Sequence, residues 1–540
     1  MNRENLTIEI DNDRSVELLA GHAFHSLRRL LPRPANRNIG TERITPRPRE
    51  YHAIRTNEGL ERLASMLNKA EFCAVDTESS DKNPHSAELF GISISVRKGE
   101  AFYVPTVAHD LKSVDRDAVV LVFKRLLGGS VKVTGHNLKY DYVLLRRNGI
   151  KIANIDFDTM LADYDCFGDS DVLNLQYLAK RHLGRNVKSH RDMVSANQSL
   201  LDLPLDDVAD YACDHAEVTL ELTDVFRREL AQRGIDRQYR DDTLPMIKTL
   251  GDWEVDGIPV DVAGLSGIRN SMADHVARAR DAVVNEVGRG FNLDSGKEVT
   301  AVLAMDPLVA KVVGFRKVSL GVLEELAISH KVARLLVGYN RRQKELRDIE
   351  TVIQSVQNGR VHPVFSQTGT DHGRLTSTKP RLIEVDNVED LVGCLPDGIQ
   401  QFCLDTGSAL GILADATSDM VLQGDVLAAR RSGLCCLPDV PPLSEGDHFR
   451  LLLSVVVGAS DYQMCRIFLL DRIAVGAIRH GFRTRYSSTF LWLEQFCNEA
   501  AAKGFASAVG RRRCLDGLRS SNLEKRDKAM HSAVKWLIRW

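Results

Sequence analysis

Two acids stand two residues apart in the segment VDTES, Asp76 and Glu78. On a strand, that spacing puts both carboxylates on one face. Such a pair is either a solvent-facing strand end or a site at which a cation offsets the repulsion. A third acid, Asp141, follows in GHNLKYD near the predicted start of a helix, with Lys139 and Tyr140 beside it. Carboxylates drawn from separate elements suit hard divalent cations, Mg²⁺ or Mn²⁺, which take oxygen ligands and keep positions open for water and phosphate. Two such cations roughly 3.5 to 4 Å apart activate a water and stabilise the leaving oxygen of a phosphodiester. The expected chemistry is therefore hydrolytic phosphoryl transfer with two divalent cations. Farther along, YACDHAEVTLEL places Tyr211 and His215 at i,i+4, on one helix face. A phenol there can orient the attacking water or help deprotonate it.

The elements that must position these groups are legible in the pattern. FCAVDTES reads as a strand, LFGISISV and AFYVP as a hairpin closed by RKGE, VDRDAVVLVFKRLL as a helix and VKVTG as another strand. Helical segments follow, ending in a long one from about Pro204 to Gly234. Strands followed by crossover helices predict a mixed sheet flanked by helices over residues 51–233. Residues 1–50 contain RRLLPRPANRNIGTERITPRPRE, rich in Arg and Pro without apolar periodicity, and read as an arm or linker. Residues 234–540 read as mostly helical, with weak signals between Asp425 and Arg485.

A chain of 540 residues exceeds one hydrophobic core, so two or three domains are expected. Its formal charge of -2 supplies no global basic field, which leaves nucleic-acid binding to local patches. The longest apolar run, LLLSVVVGA, falls short of the roughly 20 residues of a membrane helix. No membrane association is expected. MNRENLTIEIDNDRS lacks the apolar region of a secretory signal, so a cytoplasmic location is expected. The 10 cysteines include no C-x-x-C pair, which disfavours a zinc site or disulfide framework.

VDTES, GHNLKYD, FDTMLADY and YACDHAEVTLEL, in this order and at these separations, resemble the 3′-to-5′ proofreading exonuclease domain of DNA polymerase I. That domain belongs to the DEDD superfamily, which also holds RNase D. The resemblance covers about residues 55–232 and implies an α/β, RNase H-like fold. It implies that Asp76, Glu78 and Asp141 are metal ligands, that Tyr211 positions the water, and that Asn137 lies beside the substrate strand. The third motif of the family is Tyr, three residues, then a metal-binding Asp. His215 occupies that place here. Imidazole binds Mn²⁺, Fe²⁺ or Zn²⁺ well and Mg²⁺ poorly, and brings no negative charge. Asp214 is rotated from that position by about 100° and could substitute only if the helix turned or slipped. The expectation is a weak or Mn²⁺-preferring nuclease with His215 as a ligand.

The resemblance continues into family-A DNA polymerases. GDWEVDGIPVD and FNLDSGKEV look like the opening of the thumb, and VHPVFSQTGTDHGRLTSTKPRL resembles the segment that contacts primer-template duplex. Arg374 and Lys379 would then be phosphate contacts. LPDGIQQFCLDTGSALGILA is similar to a palm strand, with Asp405 as a vestigial polymerase metal ligand. The family reads Asp-Tyr-Ser-Gln-Ile-Glu-Leu-Arg there, so its glutamate and arginine are missing. GFASAVGRRRCLDGLRSSNLEKRDKAMHSAVKW resembles the palm again, with Gly510, Arg511, Arg512, Asn522 and Arg526 in register. Arg511, Arg512 and Arg526 are expected at the substrate. The chain reaches Trp540 before the last His-Asp-Glu motif, and its apolar KWLIRW reads as truncation or as a face covered by a protein partner. The implied plan is a thumb at about 234–360, palm remnants at about 361–425 and 486–540, and poorly matched fingers between. The implied partner is DNA, as a single-stranded 3′ end or a primer-template. Three outcomes remain open: a surviving exonuclease with an incomplete polymerase site, an inactive DNA-binding relative, or an inactive remnant.

Overall fold

A computed structural model describes residues 49–382 apart from 108–113, 169–171, 196–197, 308, 311–317, 371–372 and 374. It also describes 422, 434–435 and 443–539 apart from 469, 471, 509–510 and 522. The six strands of the first half are β1 (Glu50–Ala53), β2 (Phe72–Ser79), β3 (Leu89–Arg97), β4 (Glu100–Pro105), β5 (Lys132–Gly135) and β6 (Asn154–Asp158). They form one sheet in the order β1-β4-β3-β2-β5-β6. The central strands β4, β3 and β2 pair antiparallel, and β1, β5 and β6 join parallel. This is the expected mixed sheet, but β1 and β6 were not legible. Four or five residues with polar positions offer too little period to read, and β1 begins one residue inside the predicted arm.

The longer helices of this half are α1 (Asn57–Leu67), α2 (Arg116–Leu127), α3 (Leu138–Arg147), α4 (Thr159–Phe167), α5 (Leu175–Leu183) and α6 (Leu205–Arg233). Pro204 opens α6 and Gly234, at φ 64°, closes it in the left-handed conformation that glycine adopts without strain. The helix packs against β1 through β5. Its Val208, Tyr211 and Ala212 meet Phe90, Ala101 and Tyr103 in one core, while Val218, Leu222 and Phe226 join Val75, Val133 and Phe123 in another. The first seven residues of β3 are buried, so this strand is covered on both faces and anchors the sheet that carries the acids.

The second half is mostly helical, as the pattern predicts. It contains α7 (Pro245–Asp256), α8 (Val262–Val287) and α9 (Lys331–Gln354), then the strand pair β7 (Val364–Ser366) and β8 (Thr376–Thr378). Where signals were weak stand α10 (Glu445–Val456), α11 (Asp461–Phe468) and α12 (Arg472–Arg485). Then come α13 (Ser487–Lys503), the hairpin β9 (Phe505–Ala508) and β10 (Arg511–Cys514), and α14 (Leu523–Arg539). Among the described residues, no helix is long and apolar enough to cross a membrane. The arm over residues 1–48 and the palm segment that holds Asp405 lie outside the described residues.

Candidate active site

The alternation of β2 carries Asp76 and Glu78 to one face, opposite Ser93 and Gly91 of β3. Helix α6 brings His215 to them. Its Nδ1 lies 3.6 Å from Asp76 Oδ2, and Asp76, Glu78 and His215 each offer a ligand atom with all three within 4.8 Å of one another. Asp141, buried on the first turn of α3, stands outside that three-atom cluster. Its Oδ1 accepts a 2.5 Å hydrogen bond from Thr77, the residue between the two acids.

Burial makes this charge arrangement expensive without a cation. Burial first, and then Asp76, raise Glu78 to about 8, with His215 opposing. Burial and Asp76 likewise hold Asp141 well above the usual carboxylate range. Burial alone would lower His215, but Asp76 and Glu78 outweigh it and raise the imidazole to about 9. An imidazolium thus sits where the acids need positive charge. Glu78 Oε1 is buried with no hydrogen-bond partner among the described residues. Two acids, an imidazole and an unsatisfied buried oxygen form a donor set that fits a divalent cation with mixed oxygen and nitrogen ligands.

The orientation of His215 comes from the main chain. Its Nε2 lies 2.9 Å from the Lys188 carbonyl oxygen. A carbonyl only accepts, so Nε2 carries the proton and Nδ1 is the nitrogen turned to Asp76. Tyr211 packs on the ring, with centroids 4.3 Å apart at 58°. Burial first, then Glu78 and Asp76, hold its phenol far above its ordinary range.

Asp214 has partners of its own away from that cluster. It accepts from the Tyr51 hydroxyl at 3.0 Å and pairs with Arg185 at 2.5 Å, and Arg185 also pairs with Glu217 and Glu221. The network fixes the rotation of α6 and leaves His215 on the acidic side.

Asn137 caps α3 in the left-handed conformation, at φ 58°. It lines a cavity of about 30 Å³ with Lys139, Asp158, Phe365, Ser366 and Gln367. Lys379 is exposed and, after the Asn83 N–H, contributes to holding Asp81 below its ordinary range. Arg512 engages its own chain: its guanidinium reaches the Arg233 carbonyl at the end of α6, and its N–H donates to Gln238 at 2.8 Å. Arg526 is half-buried on α14. Arg374, Asp405, Gly510, Asn522 and the side chain of Arg511 lie outside the described residues. Two site residues escaped the sequence reading. Lys188 acts through its carbonyl, which has no side-chain signature, and Tyr103 reads only as an apolar strand residue although its buried hydroxyl, unpartnered among the described residues, lies within electrostatic reach of Glu78.

Residues 51–231 match the 3′-5′ exonuclease family model, and residues 262–391 match DNA polymerase family A. DNA polymerase I of Borreliella burgdorferi is 28% identical over 351 residues, 64% of this chain and 38% of that protein. DNA polymerase I of Pseudomonas aeruginosa is 27% identical over 522 residues, 90% of this chain and 57% of its own length. The chain thus spans from about two fifths to just over half the length of these relatives. In fold it is similar to the POL domain of Pol1 from M. smegmatis, solved with DNA primer-template and dNTP. That likeness has a TM-score of 0.63 at 21% identity and covers 90% of this chain and 85% of the other. The chain thus carries a region that matches the 3′-5′ exonuclease family, followed by a region that matches DNA polymerase family A.

Proposed function

We propose that the chemistry retained by this chain is metal-dependent 3′-5′ exonucleolytic hydrolysis of DNA ends. The observation that carries the reading is the convergence of Asp76, Glu78 and His215, with one buried carboxylate oxygen left unpartnered among the described residues. These three, with Asp141, would hold two divalent cations, Mn²⁺ in preference to Mg²⁺ because of the imidazole. A bound cation supplies Lewis-acid polarisation of the phosphoryl oxygen and a more acidic water.

The remaining roles belong to the chain. His215 gives up its Nδ1 proton before that nitrogen can ligate, while Lys188 keeps the ring in place through Nε2. Tyr211 presents a protonated hydroxyl that orients the attacking water. Asn137, Lys379, Arg374, Arg511 and Arg526 are proposed contacts to a single-stranded 3′ end or a primer-template. Arg512 serves as a helix cap in the described fold, so phosphate contact would require it to leave Arg233.

Templated synthesis is not part of the proposed activity. The family-A match stops at residue 391, before Asp405, and the glutamate and arginine expected after Asp405 are replaced in DTGSALG. A single carboxylate does not substitute for the pair that holds two metals.

The test is degradation of a 3′-labelled single-stranded DNA in Mg²⁺ and in Mn²⁺, with Asp76→Ala as the control. Stepwise shortening that the control abolishes, faster in Mn²⁺, supports the reading. No shortening in either metal by folded protein, together with salt-dependent DNA binding, replaces it with a DNA-binding relative lacking catalysis. A primer-extension assay on the same preparation tests for polymerase activity.

A further inference from the structure

Helix α7 falls between the two family matches, which end at residue 231 and resume at 262. It nevertheless carries Glu254, whose side chain has no solvent exposure. A carboxylate so buried is costly unless it is paired and hydrogen-bonded. Its partners come from both halves of the chain. From the exonuclease side, Lys139 Nζ pairs with Oε1, and His85 Nε2 faces Oε2 at 3.5 Å. From the polymerase-like side, the Phe365 N–H donates to Oε1 at 2.9 Å, and His362 Nδ1 donates to the Glu254 carbonyl at 2.9 Å.

The pair sits at one end of a built seam between α3 and α7. Tyr142 donates to Asp252 at 2.5 Å, and Arg146 pairs with Asp256 at 2.9 Å. Gly251 has no side chain at the point where a Cβ would stand 2.5 Å from the Tyr142 ring. Residues 139, 142 and 146 share one face of α3, the face turned to α7.

Each residue of the first turn of α3 has its own anchor. The Leu138 N–H donates to Asp158 at 2.7 Å, the Tyr140 hydroxyl lies 2.5 Å from Ser79 Oγ, and Asp141 accepts from Thr77. Among these, the anchor of Lys139 is the one supplied from outside residues 51–231. We infer that Glu254 is a positioning residue for the nuclease. Through Lys139 it holds the first turn of α3, and with it Asp141, in register with β2. Its bonds to Phe365 and His362 tie that turn to the polymerase-like half. The inference rests on the exonuclease reading and names a residue that the DEDD set does not contain.

The experiment uses the full chain with Glu254→Gln, which keeps the volume and removes the charge, Lys139→Met, and both together. Asp256→Asn, at the exposed end of the same seam, is the control. Three quantities are read: kcat and KM on the labelled single strand in Mn²⁺, Mn²⁺ affinity by calorimetry, and hydrogen exchange at residues 138–141. Supporting partners of ligands typically set metal affinity or activity by about 10- to 100-fold. The expected result is a fall of about tenfold in kcat with KM within about twofold for each single variant, and weaker Mn²⁺ binding. Exchange at 138–141 should quicken, and the double variant should be no worse than the singles because both remove one interaction. Asp256→Asn should match the wild type. Unchanged kcat, Mn²⁺ affinity and exchange in a folded Glu254→Gln overturn the inference while leaving the nuclease intact, as does a loss that Asp256→Asn shares. An inactive wild type overturns the nuclease reading and this inference with it.

Discussion

At the residue scale, His215 changes both the charge and the hardness of the site. An aspartate there would add a fourth carboxylate to Asp76, Glu78 and Asp141, whereas the imidazole adds a proton that must leave first. His215→Asp is expected to raise the Mg²⁺-supported rate by about tenfold or more relative to the Mn²⁺-supported rate. A rate ratio equal to that of the wild type would exclude His215 as a ligand. His136 offers a pH test of stability. Its Nδ1 lies 2.9 Å from Thr159 Oγ1, and burial pulls the ring down to about 4. An unfolded histidine titrates near 6.5, so between about 6.5 and 4 the unfolded chain binds more protons than the folded one. Stability from this group is intact above that window and falls as pH drops through it. Between pH 7 and pH 5, the wild type should lose several degrees more of its unfolding midpoint than His136→Gln, as measured by calorimetry. Equal losses would remove His136 from the account.

At the element scale, the acids depend on a strand pairing that tolerates no side chain at one point. Gly91 of β3 stands opposite Glu78, and a Cβ there would lie 2.3 Å from the Tyr103 hydroxyl. Gly91→Ala must push that buried ring aside, at a cost of about 1 to 3 kcal/mol. Chemical denaturation should show the loss, with nuclease activity falling alongside; a variant as stable as the wild type would mean that Tyr103 has room to move. The pattern at this scale was legible where the period was long. Strands β2 to β5 alternate or run apolar, and α6 holds a helical stripe between Pro204 and Gly234. It was illegible where apolar residues also face solvent, as on α12, where Ile473 is 85% exposed and blurs the stripe formed by Val475, Ile478 and Phe482.

At the scale of the whole molecule, the two halves are keyed together by more than the seam at Glu254. The buried Arg513 guanidinium of β10 lies 4.1 Å over the Tyr164 ring, 3.6 Å from Asp165, and donates to the Gly168 carbonyl at 3.2 Å. Gly168, at φ 73°, closes α4 where a Cβ would stand 2.0 Å from the Cys514 carbonyl oxygen. Gly168→Ala adds both a left-handed alanine and that clash. Calorimetry is expected to show a midpoint lowered by several degrees, with the exonuclease half unfolding separately from the rest. A single transition at the wild-type temperature would show that the halves meet without need of this contact.

The sequence alone proposes a chemistry-bearing set: Asp76 and Glu78 by strand alternation, Asp141 by its helix start, and Tyr211 with His215 by helical spacing. It also marked His215 as a departure, because residue type at a spaced position is a local property. Packing across elements sets which way α6 faces, through Arg185 meeting Asp214 and Glu217. It alone decided which nitrogen of His215 turns to the acids, through a carbonyl 27 residues away in sequence. The role of Glu254 was equally hidden. A glutamate in GDWEVDG carries no local sign of burial, and its partners at 85, 139 and 365 come together only when the two halves pack. Burial, orientation and ion pairing are properties of such packing, and no period along the chain encodes them.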